Sequence, residues 1–433
     1  MKQTNGKTLL LGAQHVLAMY AGAIIVPLIV GGALKLDATQ MSYIIAADLL
    51  TSGIATLLQA WRNPFFGIGL PVVLGCTFTA VFPMISIGGQ YGLTAMYGSI
   101  ICSGLFVVLI ANYFSKLVKF FPPVVTGSVV TIIGVTLVPV AINNMAGGVG
   151  SPDFGSLTNF ALAFGTLLFI ILVNRFTRGF IRSISVLLGL IAGTLAAGLM
   201  GTVSLGSVAQ ASWFNLVTPL YFGVPTFEPS AVITMIIVAV VSMIESTGVF
   251  MALGEICKRD LSENDLARGY RAEGLAVMLG GLFNSFPYTT FSQNVGLVQL
   301  SNSKTANVTI VAGGMLILLG FIPKFAALAM IIPSAVLGGA MIAMFGIVVA
   351  SGIRMLSKVD FTSNENLLVI ACSVTLGLGV TVVPNLFVKL PPLLKMFFEN
   401  GIVTGALTAV ILNILLNMTA GKSVTQPKLT AHG

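Results

Sequence analysis

Charge is scarce in this chain. Of its 433 residues only 8% are Asp, Glu, Lys or Arg, against 56% apolar, and the mean hydropathy is +1.01. No stretch is polar and long enough to form an attached soluble domain, which excludes a nucleotide-binding module. Walker A loops, G-x-S-x-G elbows and H-E-x-x-H helices are absent, so the chemistry those motifs carry is excluded with them. The four cysteines (Cys76, Cys102, Cys257 and Cys372) are scattered, without metal-ligand spacing and without a pair that implies a disulfide. The sequence therefore predicts no metal and no cofactor, and a gradient as the energy source.

Apolar runs are what the chain has in plenty. They repeatedly reach the roughly 20 residues needed to cross a ~30 Å hydrocarbon layer. Fourteen spans are predicted, near 9–33, 39–60, 66–87, 92–111, 121–142, 158–174, 184–201, 230–254, 265–283, 287–301, 306–322, 326–351, 364–383 and 401–418. The first is too long for a cleaved signal, carries Gln14 and His15, and lacks an A-x-A-type site. The fold class expected is an all-α polytopic membrane protein.

The formal net charge of +8 does not point to nucleic acid, because the basic residues alternate with the loops. Seventeen of the 21 Lys and Arg fall on one side. They are Lys2, Lys7, Arg62, Lys116, Lys119, Arg175, Arg178, Arg182, Lys258, Arg259, Arg268, Arg271, Lys304, Arg354, Lys358, Lys422 and Lys428. The other side has Lys35, Lys324, Lys389 and Lys395, and its long loops 143–157 and 202–229 have no basic residue. The positive-inside rule then places both termini in the cytoplasm of a cell that carries the protein in its plasma membrane.

Two pairs of motifs recur at about half the chain length. Thr77-Phe78-Thr79 in span three is matched by Thr290-Phe291-Ser292 in span ten, an offset of 213; "PPVVTGS" from Pro122 is matched by "PSAVLGG" from Pro333, an offset of 211. Both relate span n to span n+7. Seven is odd, so the second copy is expected to be inverted, giving two inverted seven-span repeats, a build used by secondary transporters with a site at the midplane between discontinuous segments. Spans three and ten are the discontinuous ones: Pro71 and Gly75 break the first, and "NSFPYTTF" opens the second with a short β-rich run. Non-helical backbone at membrane depth requires a protein-lined setting, and two short extended pieces satisfy each other by pairing. The polar run "TTFSQNVGLVQL" at 289–300 is then read as the lining of a binding site.

Ionisable residues inside spans cost at least ~2.5–3.5 kcal/mol on insertion scales and call for a functional reading. Glu245 in "VVSMIESTGVF" lies mid-span and is the foremost candidate. Glu273 in "RAEGLAVML" is placed near the cytoplasmic start of span nine, where pairing with a loop arginine is the competing structural reading. His15 beside Gln14 suits a proton relay or a hydrogen-bonded structural role, and Asp48, with no partner legible, reads as structural. Phe78 and Tyr288, next to the breaks, are candidates for stacking on a flat ligand.

"SQNVGLVQLSN" resembles the signature of the nucleobase-ascorbate transporters, the nucleobase:cation symporter-2 family. "AQHVL", "SMIESTG" and "AEGLAVMLGGLFNSFPYTTF" agree with it in order along the chain. The resemblance extends to bacterial xanthine permeases and their urate-transporting relatives. It implies a core domain (1–120 and 230–325, spans 1–4 and 8–11), a gate domain (121–229 and 326–420, spans 5–7 and 12–14), a cytoplasmic tail (421–433), a homodimer, and proton-coupled uptake by an elevator-like or rocking movement of core against gate. By residue it implies substrate hydrogen bonds from Glu245 and Gln293, main-chain contacts at Phe78 and Ser292, substrate or gating contacts from Asn294, and coupling or gating by Glu273, His15 and Glu245. The sequence departs from the family pattern at Val249, where many proton-coupled members have Asp, and at Val295 and Ser301-Asn302 in the signature.

A Gln amide presents a donor beside an acceptor and so matches an adjacent C=O and N–H on an oxo-purine, while an ionised Glu accepts two N–H donors. Together they suit xanthine. Urate, uracil and guanine remain alternatives, as does an anion exchanger or channel of the same two-times-seven build.

Overall fold

The two breaks predicted in the helical pattern meet in space. In the computed structural model, which describes residues 5–418 apart from 302, 392–393 and 396–397, Leu74–Cys76 (β1) pairs antiparallel with Tyr288–Thr290 (β2), in the register Leu74 to Thr290, Gly75 to Thr289 and Cys76 to Tyr288. Two further bonds extend the ladder, from Thr77 N to Pro287 O and from Phe291 N to Val73 O, both 2.9 Å. Lys2, the signature's Asn302 and the tail 421–433, with His432, Lys422 and Lys428, lie outside the described residues.

Helices surround this pair. Ahead of β1 come Asn5–Ala33 (α1) and Ala38–Ala60 (α2), the latter started by a capping box in which Asp37 accepts from Gln40 N at 2.9 Å. A 3₁₀ turn, Phe78–Ala80, then leads into Val81–Tyr91 (α3) and Leu93–Lys116 (α4). Pro123–Thr136 (α5), Val138–Met145 (α6), Leu157–Phe176 (α7), Gly179–Ser183 (α8), Ser185–Leu199 (α9) and Gly206–Gln210 (α10) complete the first half. The second half runs Pro229–Cys257 (α11), Glu263–Leu282 (α12), β2, Gln293–Ser301 (α13), Asn307–Gly320 (α14), Pro323–Met330 (α15), Ser334–Leu356 (α16), Asn364–Val382 (α17) and Gly401–Asn413 (α18). Among the described residues nine helical stretches are long and apolar enough to cross a membrane, or ten if the bent α14–α15 pair counts as one. The chain is thus a mostly helical, polytopic, integral membrane protein.

One predicted span starts elsewhere, and two others form as helices but are too short or too charged to be among the nine. The twelfth begins at Ser334 rather than at 326, because Pro333 forces its predecessor out of the helical region and the residues before it form α15, bent 81° from α14. The limit predicted between core and gate at 325/326 accordingly falls inside α15, which packs on α1, α2 and α14. The seventh is the 15-residue α9, about 22 Å long. The ninth, α12, is long enough but carries Asp265, Arg268, Arg271 and Glu273.

Small residues let the helices approach closely. At the α4–α12 crossing a methyl on Gly274 would lie 2.7 Å from Gly104 O, and at the α2–α14 crossing one on Gly313 would lie 2.9 Å from Gly53 O. Loops that the charge pattern assigns to one side also meet. Asp265 Oδ1 accepts from Arg62, Arg259 and Arg268 at 2.9, 3.0 and 3.1 Å, and Glu255 pairs with Lys358 at 2.8 Å. At the opposite end Lys324 donates to Val208 O at 2.8 Å and lies over the Trp213 ring.

This arrangement generates a topology test. In a variant freed of its native cysteines, Val149→Cys and Val224→Cys, exposed in the two loops that lack basic residues, are expected to react with a membrane-impermeant maleimide from outside whole cells, and Arg178→Cys only after the membrane is opened. Labelling of all three from the same side would refute the assigned alternation.

Candidate functional site

α11 meets the turn that follows β1 on one side and β2 on the other. Glu245 and Ser246 are consecutive, so on a helix of 3.6 residues per turn they point about 100° apart. Glu245, 8% exposed, accepts from Thr79 Oγ1 of the 3₁₀ turn at 3.5 Å. Ser246 turns to the other strand: it donates to Glu273 Oε1 at 2.5 Å, accepts from Thr290 Oγ1 at 3.1 Å, and lies 2.9 Å from Thr289 Oγ1. Pro229 at the first turn, where its missing N–H is no loss, sets the start of α11.

Glu273 therefore stands elsewhere than the sequence suggested. It sits halfway along α12, 2% exposed, bonded to Ser246 and unpaired with any arginine. The carboxylate that collects the loop arginines is Asp265, two turns earlier, which the sequence reading did not single out.

A second buried cluster explains Asp48 and removes Tyr288 from the stacking role. Tyr288, 0% exposed, donates to Asp48 Oδ1 at 2.9 Å, lies 2.6 Å from Ser285 Oγ, and also bonds Thr51 Oγ1. Its ring is packed inside, too deep to stack on a flat substrate. Phe78 is also buried and meets Phe345 of α16 edge to face, with centroids 5.4 Å apart. Phe291 seats its ring against Gly22 of α1 and Gly75 of β1, where side chains on either glycine would collide with it.

At the start of α13, Gln293 and Ser292 are half-buried, and their only mutual bond is Ser292 Oγ to Gln293 Oε1 at 3.4 Å. α13 packs against α11 and α1. Asn294 points into α1: it is buried, its Nδ2 donates to the backbone O of His15 at 3.3 Å, and its Oδ1 has no partner. The buried His15 ring leaves Nδ1 unpartnered. The structure thus joins Glu245 to the turn after β1, Glu273 to β2, and Asn294 to His15. Thr79, Ser246, Thr289 and Thr290, which fill these links, are serines and threonines of a kind common in spans; the usable signal was the i, i+1 placement of Glu245 and Ser246 opposite two broken segments. Among the described residues no group of His, Cys, Asp or Glu could hold a metal ion.

Comparison with known proteins places this arrangement. A sequence model described as a permease family matches residues 6–386. The chain belongs to the nucleobase-ascorbate transporter family. It is 61% identical over 418 residues to the xanthine permease of Bacillus subtilis, covering 96% of this chain and 95% of that one. It is equally 61% identical over 405 residues to the uric acid permease PucK of the same organism, covering 94% of each. Such relatives are permeases, not enzymes. Among solved structures, the transmembrane domain of a cyanobacterial bicarbonate transporter, BicA, superposes with a TM-score of 0.64 over 88% of this chain and 98% of that one, at 18% identity. That likeness concerns the fold.

The Tyr288 cluster makes its own prediction. Tyr288→Phe leaves the buried Asp48 carboxyl without its nearest donor, and a loss of about 1–3 kcal/mol of stability is expected. Thermal unfolding in detergent checks it; an unchanged midpoint would show that the hydroxyl contributes nothing.

Proposed function

We propose that this permease imports a purine nucleobase, with xanthine the preferred substrate, by proton symport across the plasma membrane. The observation that carries the proposal is Glu245, a buried carboxylate with one weak bond to Thr79, on a helix that also packs against the half helix opened by Gln293. The carboxylate accepts purine N–H groups and the Gln293 amide pairs with an adjacent C=O and N–H. Main-chain groups at Phe78 and Ser292 frame the ring. Glu273, one residue away through Ser246, carries the coupled proton, with Asn294 and His15 gating the α1 side. A xanthine permease and a uric acid permease stand at the same identity to this chain, so overall likeness does not separate those two purines. The BicA likeness raises an anion carrier as the second reading; two buried carboxylates at the site repel an anion and disfavour it.

The mechanical frame is two inverted seven-span repeats, assembled as core (α1–α4 and α11–α15) and gate (α5–α9 and α16–α18), in a homodimer with cytoplasmic termini. What supports the repeat is that the packing survives exchange of span n with span n+7. The α4–α12 crossing maps onto α14–α2, α7–α9 maps onto α17–α18, and β1–β2 and α5–α16 map onto themselves. Uptake needs no cofactor beyond the proton gradient.

In proteoliposomes, Glu245→Gln is expected to abolish uptake of labelled xanthine and to weaken equilibrium binding severely, whereas Glu273→Asn binds normally yet does not accumulate. Full accumulation by the second variant would refute its coupling role, and normal binding by the first would move the substrate site elsewhere. Gln293→Glu exchanges a donor for an acceptor and is expected to weaken xanthine by about 1–3 kcal/mol; competition by urate, guanine and uracil on the same preparation reads out specificity. An unchanged profile would remove Gln293 from the site.

A further inference from the structure

Glu273 has two faces, and only one is accounted for. Its Oε1 is held by Ser246, while Oε2 is buried without a protein partner. Ser242, one helical turn before Ser246 on α11, is 6% exposed, and its hydroxyl also lacks a partner. That is unusual for a serine inside a helix, which commonly bonds the carbonyl four residues back; Thr247 and Thr234 on the same helix do so. Both residues line one small pocket of about 10 Å³, together with Ser103 and Val107 of α4, Val238 of α11 and Tyr288. The volume is near the ~10–15 Å³ that a single water requires.

We infer that this pocket binds one ordered water, which bridges α4, α11 and α12 and gives Glu273 a proton route separate from the strand side. The water accepts from Ser242 Oγ and shares one hydrogen bond with Glu273 Oε2, accepting from it when the carboxyl is protonated and donating to it when it is ionised. It also donates to Ser103 Oγ, whose own hydrogen is engaged with Ile100 O at 2.8 Å, leaving its lone pairs as acceptors. Three partners match the usual complement of a buried water. The rest of the lining is mostly hydrocarbon, which suits a neutral ligand and not a dehydrated cation. The water site stands on geometry alone, whereas its use as a proton route rests on the coupling role proposed above for Glu273.

Infrared difference spectroscopy on the substrate-free, full-length protein tests both without an uptake assay. A carboxyl band lost in Glu273→Gln identifies Glu273, and an O–H stretching band that shifts in heavy-oxygen water identifies the bound water. In Ser242→Val, whose methyls fill the pocket, the water band is expected to be lost, the Glu273 carboxyl band to shift to higher frequency, and its exchange in deuterium oxide to slow. Ser242→Ala removes one of the three partners but leaves the space, so the water band is expected to shift in frequency, which keeps the test open if the valine variant does not fold. Ser246→Ala, on the opposite face, is expected to move the carboxyl band and keep the water band. A water band unchanged in either Ser242 variant would overturn the site; unslowed exchange after its loss would overturn the route. A Glu273 band that changes between sodium and potassium buffers at one pH would make the pocket a cation site and overturn the assignment of water.

Discussion

In hydrocarbon a backbone N–H or C=O without a partner costs several kcal/mol, and this constraint explains most of the architecture. Residues 73–77 and 287–291 are not helical, so they bond to one another, and α2 closes what remains: Thr56 Oγ1 accepts from Leu74 N at 3.0 Å and reaches Leu74 O at 3.5 Å. Once the strands are paired, the 3₁₀ turn after β1 and the start of α13 have fixed positions on opposite ends of a short ladder. The midpoint of α11 packs over both. The positions of Glu245, Ser246, Glu273 and Tyr288 follow from that pairing.

The two kinds of contact around the strands differ in stiffness. Between α2, α11, α12 and β2 the links are buried hydrogen bonds with defined geometry, as in Ser246 to Glu273 and Tyr288 to Asp48. Toward α16 they are dispersive: Phe78 rests edge-on against Phe345, and Met344 lies against Gly22. Breaking a buried hydrogen bond leaves two unsatisfied groups, while sliding one apolar surface over another exchanges contacts of similar energy. On the core-and-gate reading, the plane of easiest movement passes beside Phe78, next to Glu245.

Much of this is legible in the sequence. Composition gave the membrane, Pro71, Gly75 and Pro287 gave the breaks, and the lysine and arginine pattern gathered loops that do meet at Asp265. The partners of Glu273 and Asp48 were not readable, because Ser246 and Tyr288 lie 27 and 240 residues from them and each is one hydroxyl among many in the spans. The start of α16 was missed because apolar sequence continues through Ile331 and Ile332, and hydropathy is blind to a bend. Tyr288 was misread for a related reason: an aromatic beside a break is compatible with a ligand face or with a buried hydroxyl, and only the position of Asp48 decides.

The strand pair also governs the order in which the chain can be completed. β1 finds its partner 214 residues later, Gly75 meeting Thr289. At a synthesis rate of 5–20 residues per second, the backbone of β1 waits roughly 10 to 40 s for β2 to emerge. During that interval Thr56 of α2 can serve Leu74, but the β1 groups that face β2 have no protein partner, and they must be kept near water, at the bilayer surface or in the insertion machinery. Release into lipid is a late event, and a truncated first half lacks the strand it needs to become a finished membrane domain.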